Sequence, residues 1–213
     1  MMHPATELRL VDEEIGLGVF ATEPIPRGTV AWVLCRFDLI FAPREAAALS
    51  AAYQPIIERY AYIDADENQI LCWDNGRYVN HSCDPAMLGV GRGFEVAVAD
   101  IAPGDQITND YADLGMLPGE TLTFGCGAPN CRQIVSSGQV KAIRAALAEN
   151  LASAIAAMGA VEQPLWLLLS ADAQRQLLAI QGRGSAKGNS WQIRDANAAP
   201  RLQRTVRAAS RMG

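Results

Sequence analysis

The chain changes its hydrophobic period once, near residue 132, and that change restricts the fold more than any other feature. Before it, apolar residues come in short runs cut by Gly and Pro: 8–11, 18–21, 30–34, 37–41, 70–73, the alternating run 94–98, and 106–108. Such runs read as strands. Only residues 43 to about 60, rich in Ala and Glu, read as helix in this half. After the change, Val140, Ile143, Leu147, Leu151, Ile155 and Met158 recur at spacings of three and four, an apolar stripe on one helix that Gly159 ends. A second helix is expected from Pro164, which suits a first helical position, to Gln181, with Gly182 as its cap. The expected fold is mainly β with α, in the α+β class, followed by a helical C-terminal appendage.

With 213 residues, half of them hydrophobic, the chain can bury one domain core plus a small appendage. No apolar run approaches the length of a spanning helix, and residues 1–10 hold no leader-like run. A cytoplasmic protein is therefore expected. Five cysteines, an odd number without an export signal, suit reduced thiols or metal ligands better than a disulfide framework. The net charge of −5 is uneven. Residues 183–213 carry seven basic side chains against Asp195 alone, leaving the remainder at −11. An acidic body suits a cationic partner, although acidity also serves solubility alone. The basic tail reads either as a phosphate-binding extension or as a solvated, poorly ordered end, and its linker-like start favours the second.

Three separated segments carry the chemistry. They are Gly16-Leu17-Gly18-Val19-Phe20-Ala21, then Arg77-Tyr78-Val79-Asn80-His81-Ser82-Cys83-Asp84-Pro85, then Gly104-Asp105-Gln106-Ile107-Thr108-Asn109-Asp110-Tyr111. A lone Gly-x-Gly usually marks a turn. Adjacent Asn80 and His81 could belong to an Asx-turn closed by Pro85, and Tyr111 alone could be a strand-end aromatic. Yet Asn and His side by side are costly to bury unless their polar atoms are satisfied.

In this order the three segments resemble the SET-domain family of protein-lysine methyltransferases, and the likeness covers roughly residues 7–132. A fourth segment, Cys126-Gly127-Ala128-Pro129-Asn130-Cys131-Arg132, resembles the cysteine-rich post-SET element. The resemblance implies a SET-type β-fold of short strands over 7–113 whose C-terminal Asp-Tyr segment threads beneath the Asn-His loop. A post-SET-like loop over 114–133, a helical appendage over 139–182 and the basic tail would follow. It also implies that Gly16, Leu17, Gly18, Asn80 and His81 contact S-adenosylmethionine, with Arg77 and Tyr78 in support. Tyr111 becomes the catalytic residue, aligning nucleophile, methyl and sulfur for in-line displacement. Asn109 stands in the substrate channel, where the family usually holds Phe or Tyr. Its smaller volume favours addition of more than one methyl, whereas an amide holding an ordered water would stop at the first. Tyr60 and Tyr62 are further channel candidates.

Zinc is where the resemblance frays. Cys83, Cys126 and Cys131 match the family's ligand set, but Phe124 stands where the remaining cysteine belongs. Three thiolates leave a four-ligand structural site one short, so a metal-free loop is the expected state. Cys35 and Cys72 read as small buried hydrophobes. The function implied is methyl transfer from S-adenosylmethionine to a lysine of a protein or peptide partner, without membrane involvement. Two alternatives stand beside it: a catalytically impaired SET-fold module that binds peptide or cofactor, and a nucleic-acid-associated protein using its tail.

Overall fold

The computed structural model describes residues 1–64, 66–90, 93–116, 119–123 and 125–183. The reading of the basic tail, which falls almost wholly on 184–213, and that of Phe124 lie outside them. In chain order the N-terminal half forms β1 (Thr6–Asp12), β2 (Gly16–Ala21), β3 (Val30–Val33), β4 (Leu39–Phe41), α1 (Pro43–Ala47), α2 (Gln54–Tyr60), β5 (Ala61–Ile63) and β6 (Gln69–Leu71). A 3₁₀ turn (Asn75–Tyr78) leads into β7 (Asn80–His81), β8 (Met87–Gly89), β9 (Phe94–Ala97), β10 (Gln106–Asn109) and α3 (Tyr111–Leu114). A hairpin of β11 (Thr121–Thr123) and β12 (Ile134–Ser136) precedes α4 (Val140–Ala157) and α5 (Ala171–Arg183).

The strands form three small sheets, in the orders β1-β2-β10-β7, β3-β9-β8 and β4-β6-β5, besides the β11-β12 hairpin. Short strands in several sheets with few helices are the SET-type arrangement that the sequence led us to expect. β10 pairs antiparallel with β2 on one side and parallel with β7 on the other, Thr108 opposite Asn80 and Asn109 opposite His81. This is how the segment ending in Tyr111 comes to lie along the Asn80-His81 loop.

Several boundaries differ from the sequence expectation, each for a local reason. The stretch 43–60 is two helices, because Pro55 lacks an amide hydrogen and sits in the first turn of α2. The stripe ending at Met158 does not stop at Gly159 but tightens into a 3₁₀ turn, Met158–Ala160. The stretch from Pro164 divides into a 3₁₀ turn, Trp166–Leu168, and α5, whose start is capped by the Ser170 hydroxyl accepting from the Ala173 amide at 3.1 Å.

The helices after residue 139 share a core with the strands. Val30, Val33, Leu88, Phe94, Val96 and Val98 from the β3-β9-β8 sheet pack in one buried cluster with residues of α4, α5 and their connection, among them Ile155, Met158 and Leu177. Each such side chain stabilises the fold by roughly 1.5–3 kcal/mol relative to exposure. Gln163 fixes the docking. Its Nε2 donates to the carbonyls of Gly28 (2.7 Å) and Met158 (3.1 Å), and its Oε1 accepts from the Val30 amide (2.8 Å). A second cluster, with Val19, Ile25, Trp32, Cys72, Met87, Ala97 and Ile107, fills the space between the sheets. Strand alternation turns Glu95 towards this second cluster, away from Phe94 and Val96. Among the described residues, no helix is long and apolar enough to cross a membrane.

Candidate active site

The Gly16-Leu17-Gly18 turn has two separate reasons for its glycines. Gly16 sits at φ +84°, a left-handed conformation that disfavours a side chain. Gly18 has an ordinary φ, but a Cβ there would lie 2.5 Å from the Gln106 amide nitrogen, 2.8 Å from Val11 and 3.0 Å from Asn80 Nδ2. Asp12 shapes the approach to the turn by accepting the amides of Glu14 and Ile15 at 2.9 and 2.7 Å. Asn80 reaches across from β7 and donates from Nδ2 to the Leu17 carbonyl at 3.1 Å. The structure therefore brings together four of the five residues expected to contact cofactor.

His81, the fifth, turns its ring inward. Its Nδ1 accepts the Tyr111 amide at 3.2 Å, and its Nε2 lies 3.2 Å from Cys83 Sγ. Burial pushes the imidazole down to about 4, against the opposing pull of Asp110, so the ring is neutral at pH 7. Any contact to a cofactor from this residue falls to its backbone.

Tyr111 is anchored through both its side chain and its backbone. Its hydroxyl donates to the Val79 carbonyl at 3.0 Å, its amide is the donor to His81, and its ring packs 5.4 Å from the His81 ring, centroid to centroid. Burial pushes the phenol up to about 12. It thus stays protonated and can orient a partner but not serve as a base. Asp110 caps α3 through the Ala112 amide and forms a partly buried ion pair with Arg132 at 2.8 Å. Sequence reasoning assigned neither residue a role, yet this pair pins the cysteine loop to the strand end that carries Tyr111. The only sequence signal was Asp110's place between Asn109 and Tyr111.

Around the site, Asp74 accepts the Gly76 amide and starts the 3₁₀ turn that delivers Arg77 and Tyr78. Tyr78 meets Tyr60 edge to face at 5.3 Å, while Tyr62 meets Trp32 at 5.9 Å. Asn109 is fully buried, and neither amide atom makes a hydrogen bond of ordinary geometry. The amide nevertheless lies close enough to Glu95 to favour that carboxylate. Sequence alternation would place Glu95 on a solvent face. In fact it lies on β9, the central strand of its sheet, and is buried, with Oε2 unpartnered among the described residues.

Cys83, Cys126 and Cys131 come together. The Cys83 amide donates to Cys126 Sγ and the Cys126 amide to Cys131 Sγ, both at 3.4 Å, and the Arg132 amide donates to Cys83 Sγ at 3.3 Å. Asn130 Nδ2 also donates to the Cys83 carbonyl at 3.1 Å. The ligand atoms of His81, Cys83 and Cys126 lie within 4.8 Å of one another. His81 does not complete a four-ligand set, however. With Nδ1 accepting from Tyr111, the neutral ring carries its proton on Nε2 and donates it to Cys83. The described residues thus offer three thiols, one ligand fewer than a closed zinc site. Cys72 is buried as expected, whereas Cys35 is half-buried.

The family described as SET domain matches residues 16–112. Histone-lysine N-methyltransferase eggless of Drosophila melanogaster is 35% identical over 69 residues, covering 27% of this chain and 6% of that protein. The crystal structure of KRYPTONITE in complex with mCHG DNA and SAH aligns with a TM-score of 0.44 and 22% identity, covering 62% of this chain and 29% of that one. The chain thus spans only a small part of the length of these proteins.

Proposed function

Because residues 16–112 match the SET-domain family, we propose that the chain transfers methyl groups from S-adenosylmethionine to lysine side chains of a protein substrate. The observation that carries this reading is the convergence of the Gly16-Leu17-Gly18 turn, the Asn80-His81 loop and Tyr111 through one strand, β10. Asn80 commits Nδ2 to Leu17, which leaves its Oδ1 as an acceptor for the amino-acid ammonium of the cofactor. The donor set therefore fits S-adenosylmethionine, with Gly16, Leu17 and Gly18 supplying backbone and His81 its main chain. When bound, that cofactor supplies a methyl group on a positively charged sulfur. Tyr111, kept protonated and fixed on Val79, orients the acceptor amine. His81 Nδ1 holds the Tyr111 amide. The acidic body, −11 outside the tail, supports a lysine-rich partner.

The test is incubation with labelled S-adenosylmethionine and a protein extract, followed by location of modified lysines by mass spectrometry. Cofactor binding without any transfer would favour the impaired-module alternative.

Asn80→Ala is expected to weaken S-adenosylmethionine by about tenfold or more, since it removes both the acceptor and the brace on Leu17. Titration calorimetry with unchanged affinity would move the cofactor pocket elsewhere.

The three-thiol set does not fit a closed zinc site, and no step of the reaction is assigned to a metal. Elemental analysis of purified protein is expected to give less than one zinc per chain. Stoichiometric zinc would reveal a fourth ligand from outside the described residues or from solvent.

A further inference from the structure

Buried polar groups without a well-formed hydrogen bond are rare in native proteins and call for an explanation. Glu95 Oε2 and both amide atoms of Asn109 have none, although the Asn109 amide lies against the Glu95 carboxyl. The two residues stand on neighbouring sheets, Asn109 two residues before Tyr111. The cluster on this side of β9 is otherwise built from apolar residues, among them Trp32, Cys72, Met87 and Ile107. A carboxyl here is costly unless a cation visits.

We propose that Glu95 and Asn109 form the polar end wall of the acceptor site, with Glu95 as the counter-charge that admits the substrate's ammonium group and takes its proton. This rests on the methyl-transfer reading only for the identity of the acceptor. In the step, an N–H bond of the ammonium breaks and an O–H bond forms at Oε2. The electron pair left on nitrogen is then the nucleophile towards the methyl. Asn109 stays neutral, with its amide oxygen accepting a remaining N–H and its nitrogen donating to Glu95.

Burial pushes the Glu95 carboxyl up to about 8, as a proton acceptor for an amine requires. Among the described residues, Asp113 of α3 and the N-terminal amine act electrostatically on Glu95, and Glu95 in turn acts on Tyr62 of β5 and Cys72 after β6. Asp113 is already paired with Arg144 at 2.6 Å, and the phenol and thiol are pushed up by burial and stay neutral. Glu95 is thus the group of this set with both an unpartnered oxygen and a proton affinity near that of the medium.

The experiment uses the full chain, its Glu95→Gln variant and n-butylammonium chloride, a probe with the lysine side chain's charge and length, against sodium chloride at equal ionic strength. Thermal unfolding of the wild type is expected to rise by about 2 °C with the probe at tens of millimolar, and that of the variant not at all. In the absence of probe, Glu95→Gln is expected to unfold at the same or a higher temperature, because a costly carboxyl has been removed. With a lysine peptide as acceptor, the variant should show a raised KM and lose the rise of kcat through the Glu95 titration.

Equal protection of both proteins by the probe would overturn the proposal, as would a Glu95→Gln variant that folds poorly, since that marks a structural carboxyl satisfied by internal water. Selective protection in a protein that transfers no label would sustain the cation site and sink the methyl-transfer reading. Transfer with unchanged KM and no selective protection would do the reverse.

Discussion

Replacing Tyr111 by Phe is expected to lower methyl transfer by about 10²-fold or more while leaving S-adenosylmethionine affinity within about twofold. The variant keeps the Tyr111 amide that His81 Nδ1 accepts and the ring that packs on His81, so the local backbone has no reason to move. It loses one hydroxyl, whose bond to the Val79 carbonyl fixes its direction. The unpaired carbonyl costs roughly 1–3 kcal/mol of stability, too little to unfold a domain of this size. A hydroxyl that acts on alignment shows in kcat rather than in ground-state binding, because misplacing the acceptor is felt only where bonds form. Single-turnover rates at saturating cofactor, together with calorimetric affinity, provide the check. Turnover near wild type would remove Tyr111 from its role.

Gly115→Ala is expected to cost more than about 4 kcal/mol in folding stability, because the added Cβ would overlap backbone atoms of another strand. Gly115 follows α3 at φ +114°, and that Cβ would fall 1.9 Å from the Ile63 carbonyl oxygen of β5. Both contacting groups are backbone, so no side-chain rotation relieves the overlap. Either α3 or β5 must move, separating Tyr111 from the strand that carries Tyr62. Gly119→Ala is the control, with φ +83° and no atom within 4 Å of the added Cβ. It carries backbone strain alone, about 1–2 kcal/mol. Urea denaturation of both variants separates steric from conformational cost, and similar losses in the two would refute the close approach at Ile63.

Local patterns in the sequence were enough for β1, β2, β3, β4, β6, β9, β10 and α4, because an apolar run bounded by Gly or Pro, or an eighteen-residue stripe, declares itself. β5, β7 and β8 lie outside every such run. β5 and β8 exist through hairpin pairing with their neighbours β6 and β9, and β7 through pairing with Thr108 and Asn109, which lie far along the chain. The Asn80 and Tyr111 segments were visible because unusual residue types stand together. Their meeting was implied only by resemblance, since the parallel pairing of β7 with β10 leaves no local trace. Glu95 was missed for a reason that recurs in small sheets. Alternation assumes a strand with one wet face, but β9 is the middle strand and both of its faces are covered. Arg132 was quoted as part of the cysteine segment, yet its ion pair with Asp110 depends on a tertiary fold-back no spacing rule describes.

The covering of the β3-β9-β8 sheet by α4 and α5 also fixes the smallest piece of chain that can stand alone. The SET match ends at residue 112, yet Val30, Val33, Leu88, Phe94, Val96 and Val98 find their cover beyond residue 150. A fragment cut at the end of the match would present those six side chains to water as one continuous greasy face and would tend to associate. Autonomy, in this protein, begins only where α5 has been included.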